Sequence, residues 1–202
     1  FFLMFRLTPV VRNLILINVI VFVLQWMIPN LTNYIALWGL GTGNFKPYQL
    51  FTYMFAHDPQ GLGHIFGNML FLMFTGPMLE DYWGQKKFLL FYMIAGLGAG
   101  IFYMLMNLFL GTDAYSVMFG ASGAVYGVMT AFGIIFANME MRLLFLPISF
   151  KAKYLILVLG SLAIFNSFSP GAGGDGVAHL AHLGGIVVAI IIILYWRSQG
   201  RY

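Results

Sequence analysis

The stretch GASGAVYGVMTAFGIIFAN, residues 120–138, is apolar over a length that could cross a bilayer, and it carries Ser122 near its start. Apolar segments of about 17–25 residues are typical of membrane-spanning helices. A second such segment, residues 177–196, carries His182 at a similar depth. Because titratable groups are costly inside a membrane, each one is a candidate functional residue. A serine near a histidine suggests a nucleophile and its base, which predicts a hydrolase working within the lipid.

The composition supports a membrane protein. The chain has 202 residues, of which 61% are hydrophobic and 8% are charged, whereas soluble domains carry about a quarter charged residues. Since no polar linker divides it, we expect one membrane domain over residues 1–202. The net charge of +4 comes from scattered basic residues, which argues against a nucleic-acid partner. The absence of cysteine excludes a disulfide framework and a thiol nucleophile.

Hydropathy predicts an all-α membrane protein with a bundle of six transmembrane helices. The predicted spans are residues 10–28, 62–79, 88–110, 120–138, 154–168 and 177–196. The first apolar run is too long for a signal-peptide core, so it is predicted to be a membrane anchor. Residues 29–61 are broken by Gly and Pro. We expect them to form an interfacial structure, with Trp38, Tyr48 and Tyr53 near the lipid headgroups.

The basic residues predict the orientation of the bundle. In the six-span arrangement, nine of the ten Lys and Arg residues lie on one side: Arg6, Arg12, Lys86, Lys87, Arg142, Lys151, Lys153, Arg197 and Arg201. Lys46 lies on the other side, together with Asp58, Asp113 and Asp175. By the positive-inside rule, both termini are predicted to be cytoplasmic.

This topology places the polar residues of three spans in one layer. The second, fourth and sixth spans all run inward from the outer face, and each carries its polar residues in its first two turns: His64, Asn68, Ser122, Tyr126, His179 and His182. At 1.5 Å rise per residue, these side chains lie within roughly 10 Å of the outer helix ends. A single site below the outer surface is therefore predicted.

Small residues could bring the fourth and sixth spans into contact. Gly123 and Gly127 form one small-xxx-small pair, and Ala181 and Gly185 form another. Such pairs let helix backbones approach closely in lipid. Ser122 could then come within hydrogen-bonding reach of His182. Gly96 and Gly100 on the third span are expected to serve packing alone.

Four motifs, in this order and on these spans, resemble those of the rhomboid family of intramembrane serine proteases. They are PYQLFT at residues 47–52, HIFGN at 64–68, GASG at 120–123 and AHLGG at 181–185. Residues 76–80 and Trp83-Gly84, at the end of the second span, also resemble the family's sequences there. The resemblance covers nearly the whole chain, although the Trp-Arg pair frequent in the family's first loop is not evident here. A bacterial type of rhomboid in the plasma membrane, with its site facing outward, is expected from the compact core.

The resemblance implies a six-helix core with Ser122 as nucleophile and His182 as general base. It implies that Asn68, His64 and the backbone N–H of Ser122 stabilise the oxyanion, and that Tyr126 stacks beside His182. Gly120 and Gly123 flank the nucleophile as supporting residues. The implied substrates are transmembrane segments of single-span proteins, cut through an acyl-enzyme.

The residues themselves favour the same chemistry. Asp175 falls in a solvated loop, so we expect a Ser-His dyad without a carboxylate, with Tyr126 orienting the imidazole by ring packing. Ser122 at a helix N-terminus has free N–H groups that favour an anion. The Gly- and Ser-rich residues 166–176 could form a mobile cap over the site, with the short fifth span as a gate; an ordinary connector is equally compatible with their composition.

Other interpretations remain open at this point. His64, His179 and His182 could bind zinc, but there is no H-E-x-x-H motif, so no metal and no cofactor is predicted. His179 is expected to lie behind the site or in contact with water. His57 and Glu80 are expected to take no part in the chemistry, with Glu80 bonding nearby backbone. The alternative functions are a catalytically inactive rhomboid-like binder of transmembrane segments and a small transporter.

Overall fold

A computed structural model describes residues 7–110, 117–142, 149–167 and 175–200, and these are mainly helical. In chain order the longer helices are α1 (Pro9–Met27), α4 (Leu62–Trp83), α5 (Gln85–Leu110), α6 (Ser122–Ile135), α7 (Ala152–Ser167) and α8 (Asp175–Ser198). Between α1 and α4 lie the short helices α2 (Leu31–Ile35) and α3 (Gln49–Thr52), with 3₁₀ turns at Leu40–Thr42 and Tyr53–Phe55. The strands are β1 (Leu37–Trp38), β2 (Val117–Met118), β3 (Glu140–Arg142) and β4 (Ser149–Lys151).

Four of the described helices are long and apolar enough to cross a membrane, namely Pro9–Met27, Leu62–Trp83, Gln85–Phe109 and His179–Ser198. Two shorter apolar helices, Ser122–Ile135 and Ala152–Leu162, do not reach that length. All six helices overlap the six predicted spans. The largest difference is at α6, which begins at Ser122 and ends at Ile135, inside the predicted residues 120–138. Its 14 residues rise only roughly 21 Å, so α6 alone is shorter than the ~30 Å hydrocarbon core.

Helix α6 lies at the centre of the bundle and packs against α4, α5, α7 and α8. Most of its residues are buried, and glycines at Gly123 and Gly127 let the surrounding helices approach its backbone. The tightest approach is to α8. A Cβ atom on Gly185 would lie 2.0 Å from the carbonyl oxygen of Gly123, so only glycine fits. The predicted small-residue crossing of these helices is therefore present.

The same small face of α6 also packs against α5. Cβ atoms on Gly123 and Gly127 would meet Ala99 and Ala95 of α5 at 2.6 and 2.8 Å. Small residues thus line both of the crossings that fix the start of α6. Since lipid supplies little hydrophobic drive for helices to associate, this close packing is what holds the helix in place.

The N-terminus of α1 is capped by a carboxylate from α4. Buried Glu80 accepts hydrogen bonds from the backbone N–H groups of Val10 and Val11, at 3.0 and 2.9 Å, and from the hydroxyl of Thr8. The first N–H groups of a helix have no partner within the helix, and a negative charge there is favoured by the helix dipole. The expected role of Glu80, bonding backbone groups, is confirmed.

The segment between α1 and α4 is folded against the bundle. Strand β1 pairs with β2, the strand that leads into α6, with Leu37 opposite Met118 and Trp38 opposite Val117. Gln49 is buried and ties this segment together, because its amide bonds backbone groups at Tyr34, Asn44 and Lys46. This pairing fixes the approach of the chain to α6.

One expectation for this segment was wrong. Tyr53 does not lie at the headgroups, because its side chain is 1% exposed and its hydroxyl donates a 2.6 Å hydrogen bond to the carbonyl of Gly96 on α5. Burial raises the pKa of this hydroxyl, so Tyr53 is a neutral donor. Tyr48 is half exposed and keeps its surface position. Gly96 therefore serves more than packing, since its carbonyl anchors the loop.

Replacing Glu80 by Ala should strongly destabilise the protein. The change leaves a hydroxyl and two N–H groups buried without their acceptor, and each unsatisfied group costs about 1–3 kcal/mol. The measurement is thermal unfolding in detergent, with Asp81→Ala as the control, because Asp81 is the next residue on α4 and is exposed. Equal melting temperatures for the two variants would contradict the capping role.

Candidate active site

A cavity of about 510 Å³ opens at one end of the bundle, between α4, α6, α8 and the strand before α6. Its lining comes from these elements and from the segment that precedes α4: Tyr53, Asp58, His64, Asn68, Phe71, Val117, Met118, Phe119, Ser122, Tyr126, Ala181 and His182, with Gly63, Gly67, Gly120 and Gly123. The structure thus brings Ser122, His182, His64, Asn68 and Tyr126 around one space. All of them come from the helix ends at which the sequence placed them.

Ser122 is the first residue of α6, and its position depends on Gly120. Gly120 has φ +129°, a conformation that only glycine adopts without strain. Its N–H donates a 2.9 Å hydrogen bond to the carbonyl of Tyr53, which holds the turn. The first intrahelical bond of α6 runs from Val125 to Ala121. The N–H groups of Ser122 and its two successors therefore have no carbonyl within the helix and are free for an anion.

His182 is held by Tyr126. The two rings are parallel within 4° and their centroids are 4.1 Å apart, so the imidazole is stacked and its plane is fixed. Nδ1 of His182 is buried and has no hydrogen-bond partner among the described residues. No hydrogen bond joins the Ser122 hydroxyl to His182 in the described part of the chain; such contacts are often long before substrate binds. The imidazole thus depends on ring packing for its orientation.

His64 and Asn68 lie one turn apart on α4 and face the same cavity. Nδ1 of His64 accepts a 3.4 Å hydrogen bond from the backbone N–H of Asp58, which favours the tautomer that carries its proton on Nε2. A Cβ atom on Gly120 would lie 2.8 Å from that Nε2 and 3.6 Å from Oγ of Ser122. The His64 N–H donor therefore points to the turn beside the serine. Asn68 donates one amide hydrogen to the carbonyl of His64, at 2.9 Å, and has a second one left.

The sequence did not reveal the position of His57. It was expected in the interfacial loop, but its side chain is fully buried and its ring meets the ring of His64 edge to face, with centroids 5.0 Å apart. Neither ring nitrogen makes a hydrogen bond of normal geometry within the described residues. Burial, and secondarily the proximity of His64, lowers the pKa of His57 to about 3. The only feature of the sequence that pointed to a contact between the two histidines was their separation of seven residues.

The remaining expectations concern the rim of the cavity. The ring of half-buried His179 lies 5.5 Å from that of His182, which places it beside the site. Among the described residues, no three of His, Asp and Glu come together as a metal site. Most of the predicted cap, residues 166–176, falls on residues 168–174, which lie outside the described residues.

These features define a class of protein: a helical membrane protein whose cavity combines a serine, histidines and helix N–H groups that have no carbonyl partner within their helix. The Rhomboid domain family matches this chain over residues 44–199. The chain belongs to the rhomboid family. Its members are generally intramembrane serine proteases that act on transmembrane segments, although some relatives are inactive.

Curated relatives support this assignment. Rhomboid-like protease 3 of Toxoplasma gondii is 25% identical over 160 residues, covering 77% of this chain and 54% of that protein. RHOMBOID-like protein 12, mitochondrial, of Arabidopsis thaliana is 27% identical over 209 residues, covering 96% of this chain and 60% of that protein. Rhomboid protein 1, mitochondrial, of Saccharomyces cerevisiae is 26% identical over 175 residues, covering 87% of this chain and 49% of that protein. The chain spans about half the length of the curated relatives it matches.

These relatives are eukaryotic, and two of them are named mitochondrial. They support a multi-pass membrane protein. They give no support to the bacterial type or to the bacterial plasma membrane that was expected from the compact core.

Burial of a neutral His57 should make the stability of the fold depend on pH. Free histidine has a pKa of about 6.5, so below that pH the unfolded chain takes up a proton that the folded chain excludes. The contribution of neutral His57 to the free energy of unfolding is complete above pH 6.5. It is lost as the pH falls toward about 3. His57→Phe removes this dependence and should lose less melting temperature between about pH 7.5 and about pH 4.5 than the parent.

The matched control is Tyr34→Phe, a change to an exposed aromatic residue in the same segment, which should follow the parent at both pH values. At neutral pH His57→Phe should be at least as stable as the parent, because two buried nitrogens without good partners are removed. An equal acid-induced loss in His57→Phe and the parent would contradict the interpretation.

Proposed function

We propose that this protein is an intramembrane serine endopeptidase that cleaves transmembrane segments of single-span membrane proteins. The observation that carries the proposal is the cavity that is lined together by Ser122 at the start of α6, the stacked imidazole of His182 and the imidazole of His64. Family membership supports the reaction class. The substrate class and the role of each residue are parts of the proposal.

The proposed chemistry is acyl transfer by a Ser-His dyad. Oγ of Ser122 attacks the scissile carbonyl carbon while His182 takes its proton. The C–N bond then breaks, the amine leaves with the proton from His182, and the acyl-enzyme is hydrolysed by water. The unpartnered Nδ1 of His182 fits a dyad, since no carboxylate among the described residues bonds it. Tyr126 takes over the orienting role by stacking.

The oxyanion would be stabilised by three donors on two helices. These are the N–H of Ser122 at the start of α6, Nε2–H of His64 and the free amide hydrogen of Asn68. Nε2 of His64 lies at the turn formed by Gly120, and the helix dipole of α6 adds to the donors. Donors aimed at the developing charge typically contribute 10²–10³ each in rate, as an order of magnitude. Gly120 and Gly123 support the site through backbone conformation and packing.

The geometry also limits the substrate. Carbonyl groups in a helix are already bonded to the N–H four residues later, and free carbonyls are costly in lipid. A transmembrane segment must therefore unwind before its carbonyl can enter the cavity. Segments with small or helix-breaking residues near the cut are the proposed substrates, and we propose no metal or cofactor for the reaction.

The proposed topology has six crossing helices, with both termini on the basic, cytoplasmic side and the cavity toward the outer side. The two short helices, α6 and α7, cross as parts of the bundle, with α6 at its centre. Nine of ten basic residues fall on the same side in this arrangement. The protein would thus place its site below the outer surface of the membrane, and we propose no specific membrane compartment.

The topology can be tested cleanly because the chain has no cysteine. Single cysteines at Gln60 and Gln199, both exposed, should behave oppositely toward a membrane-impermeant maleimide. Gln60→Cys should be labelled in intact spheroplasts and Gln199→Cys only after permeabilisation. Labelling of both in intact spheroplasts would exclude the proposed side for the C-terminus.

The nucleophile is tested with a fluorophosphonate probe and with a panel of membrane-embedded segments whose cleavage is mapped by mass. Ser122→Ala should lose labelling, and both Ser122→Ala and His182→Ala should lower kcat by about 10⁴ or more. Asn68→Ala should lower kcat by about 10²–10³, as for one oxyanion donor. The cuts should fall within or next to the transmembrane segment.

Ser198→Ala is the matched control. Ser198 lies on α8, the helix that carries His182, but it is exposed. Its hydroxyl donates a hydrogen bond to the carbonyl of Tyr195. It should label and cleave like wild type. Labelling of Ser122→Ala equal to wild type would rule out Ser122 as the nucleophile. A wild-type protein that binds the segments without cutting them would point to the inactive binder, and solute uptake into liposomes would point to the transporter.

A further inference from the structure

The side chain of Gln25 in α1 clamps the backbone of His57. Its Oε1 accepts the N–H of His57 at 2.9 Å, and its Nε2 donates to the carbonyl of the same residue at 2.8 Å. The amide also donates to the hydroxyl of Thr32 at 2.8 Å. Gln25 is 7% exposed, so these bonds are shielded from water and each is expensive to break. Such a two-sided clamp fixes both the position and the direction of the peptide at His57.

The clamped residue His57 and its neighbour Asp58 both contact the imidazole of His64. The ring of His57 packs against one side of the His64 imidazole, and the ring of Phe119 lies 6.0 Å away from it. The next residue, Asp58, gives its N–H to Nδ1 of His64. This bond decides which nitrogen carries the proton, because a neutral imidazole has one donor and one acceptor. With Nδ1 accepting, Nε2–H faces Gly120 and the serine.

We infer that Gln25 is a positioning residue, which sets the tautomer and orientation of His64 through the backbone of residues 57–58. The inference rests on the proposed function, in which the His64 N–H stabilises the oxyanion. Gln25 lies outside the residues 44–199 that match the Rhomboid domain family. Helix α1 therefore contributes to the site without touching the cavity.

The contacts of Gln25 distinguish it from an ordinary buried polar residue. Asn18, about two turns earlier on the same face of α1, is also buried, but its amide donates to the carbonyl of Leu14 within the same helix. Removing Asn18 would affect stability alone. Removing the Gln25 amide frees His57 and Asp58 together, so the hydrogen bond that holds Nδ1 of His64 is lost. Stability and the tautomer of His64 should then change together in Gln25 variants only.

The first experiment measures the tautomer without requiring catalysis. Protein carrying Ser122→Ala is labelled with ¹³C,¹⁵N-histidine, and its four histidines are assigned by single His→Gln changes. The parent should show His64 protonated at Nε2. Adding Gln25→Met, which keeps the volume but removes the amide, should give a mixture of tautomers, whereas adding Asn18→Leu should leave the parent pattern.

The second experiment measures cleavage of one membrane-embedded segment by otherwise wild-type protein. Gln25→Met should lower kcat about tenfold, a part of the ~10²–10³ that a complete oxyanion donor contributes, with KM within about twofold because the substrate is not contacted. Asn18→Leu should leave kcat unchanged. If Gln25→Met does not fold, Gln25→Glu keeps the acceptor for the His57 N–H and should give a smaller change of the same kind.

The outcomes separate this inference from the proposed function. An unchanged His64 tautomer and an unchanged kcat in both Gln25 variants would overturn the inference, while loss of cleavage in Ser122→Ala would still uphold the protease. A rise in KM alone would also overturn it, since that marks a substrate-binding role. If wild type cleaves nothing, the proposed function fails, and the tautomer comparison still decides whether Gln25 positions His64.

Discussion

The close approach of α6 and α8 is the constraint on which the rest of the molecule depends. At Gly185 the neighbouring backbone is so close that a methyl group would overlap the carbonyl of Gly123. This contact brings the start of α6 beside the second turn of α8, and those two places carry Ser122 and His182. Because apolar helices gain little by leaving lipid for each other, the small side chains provide the association themselves. The separation of Ser122 and His182, the proposed nucleophile and base, is thus set by the contact between Gly123 and Gly185.

Backbone groups that have no partner within their own segment are bonded elsewhere in the bundle by side chains from other helices. Glu80 bonds the first N–H groups of α1, and Gln25 bonds both backbone groups of His57. At α6 no backbone carbonyl among the described residues accepts from the corresponding N–H groups, and Ser122 and Gly123 line the cavity. The same physical feature, an uncapped helix start, is therefore neutralised where it would destabilise the fold and exposed where an anion can use it.

Most of the fold could be read from the sequence because its signals are local. Apolar length located all six helices, and the spacing of glycines indicated the face of α6 that packs. The helix that matched least was α6, because hydropathy does not register the turn at Gly120, whose φ of +129° depends on a hydrogen bond to Tyr53. That residue was misplaced for the same reason. An aromatic in a Gly-rich loop resembles an interfacial anchor, and only its contact with the distant Gly96 carbonyl shows otherwise.

The residues of the site also differ in how far the sequence alone predicted them. Residues in contact with the cavity lie at fixed helical spacings within motifs, so sequence alone grouped them, whereas the residues that hold them do not. His57 and Gln25 are 32 residues apart in sequence, and neither belongs to a local pattern, yet together they support the imidazole of His64. The chemistry of this membrane site is thus encoded in short motifs, and its geometry in hydrogen bonds between segments far apart in the chain. By the inferred role of Gln25, helix α1, which lies outside the matched residues 44–199, sets the direction of the His64 N–H.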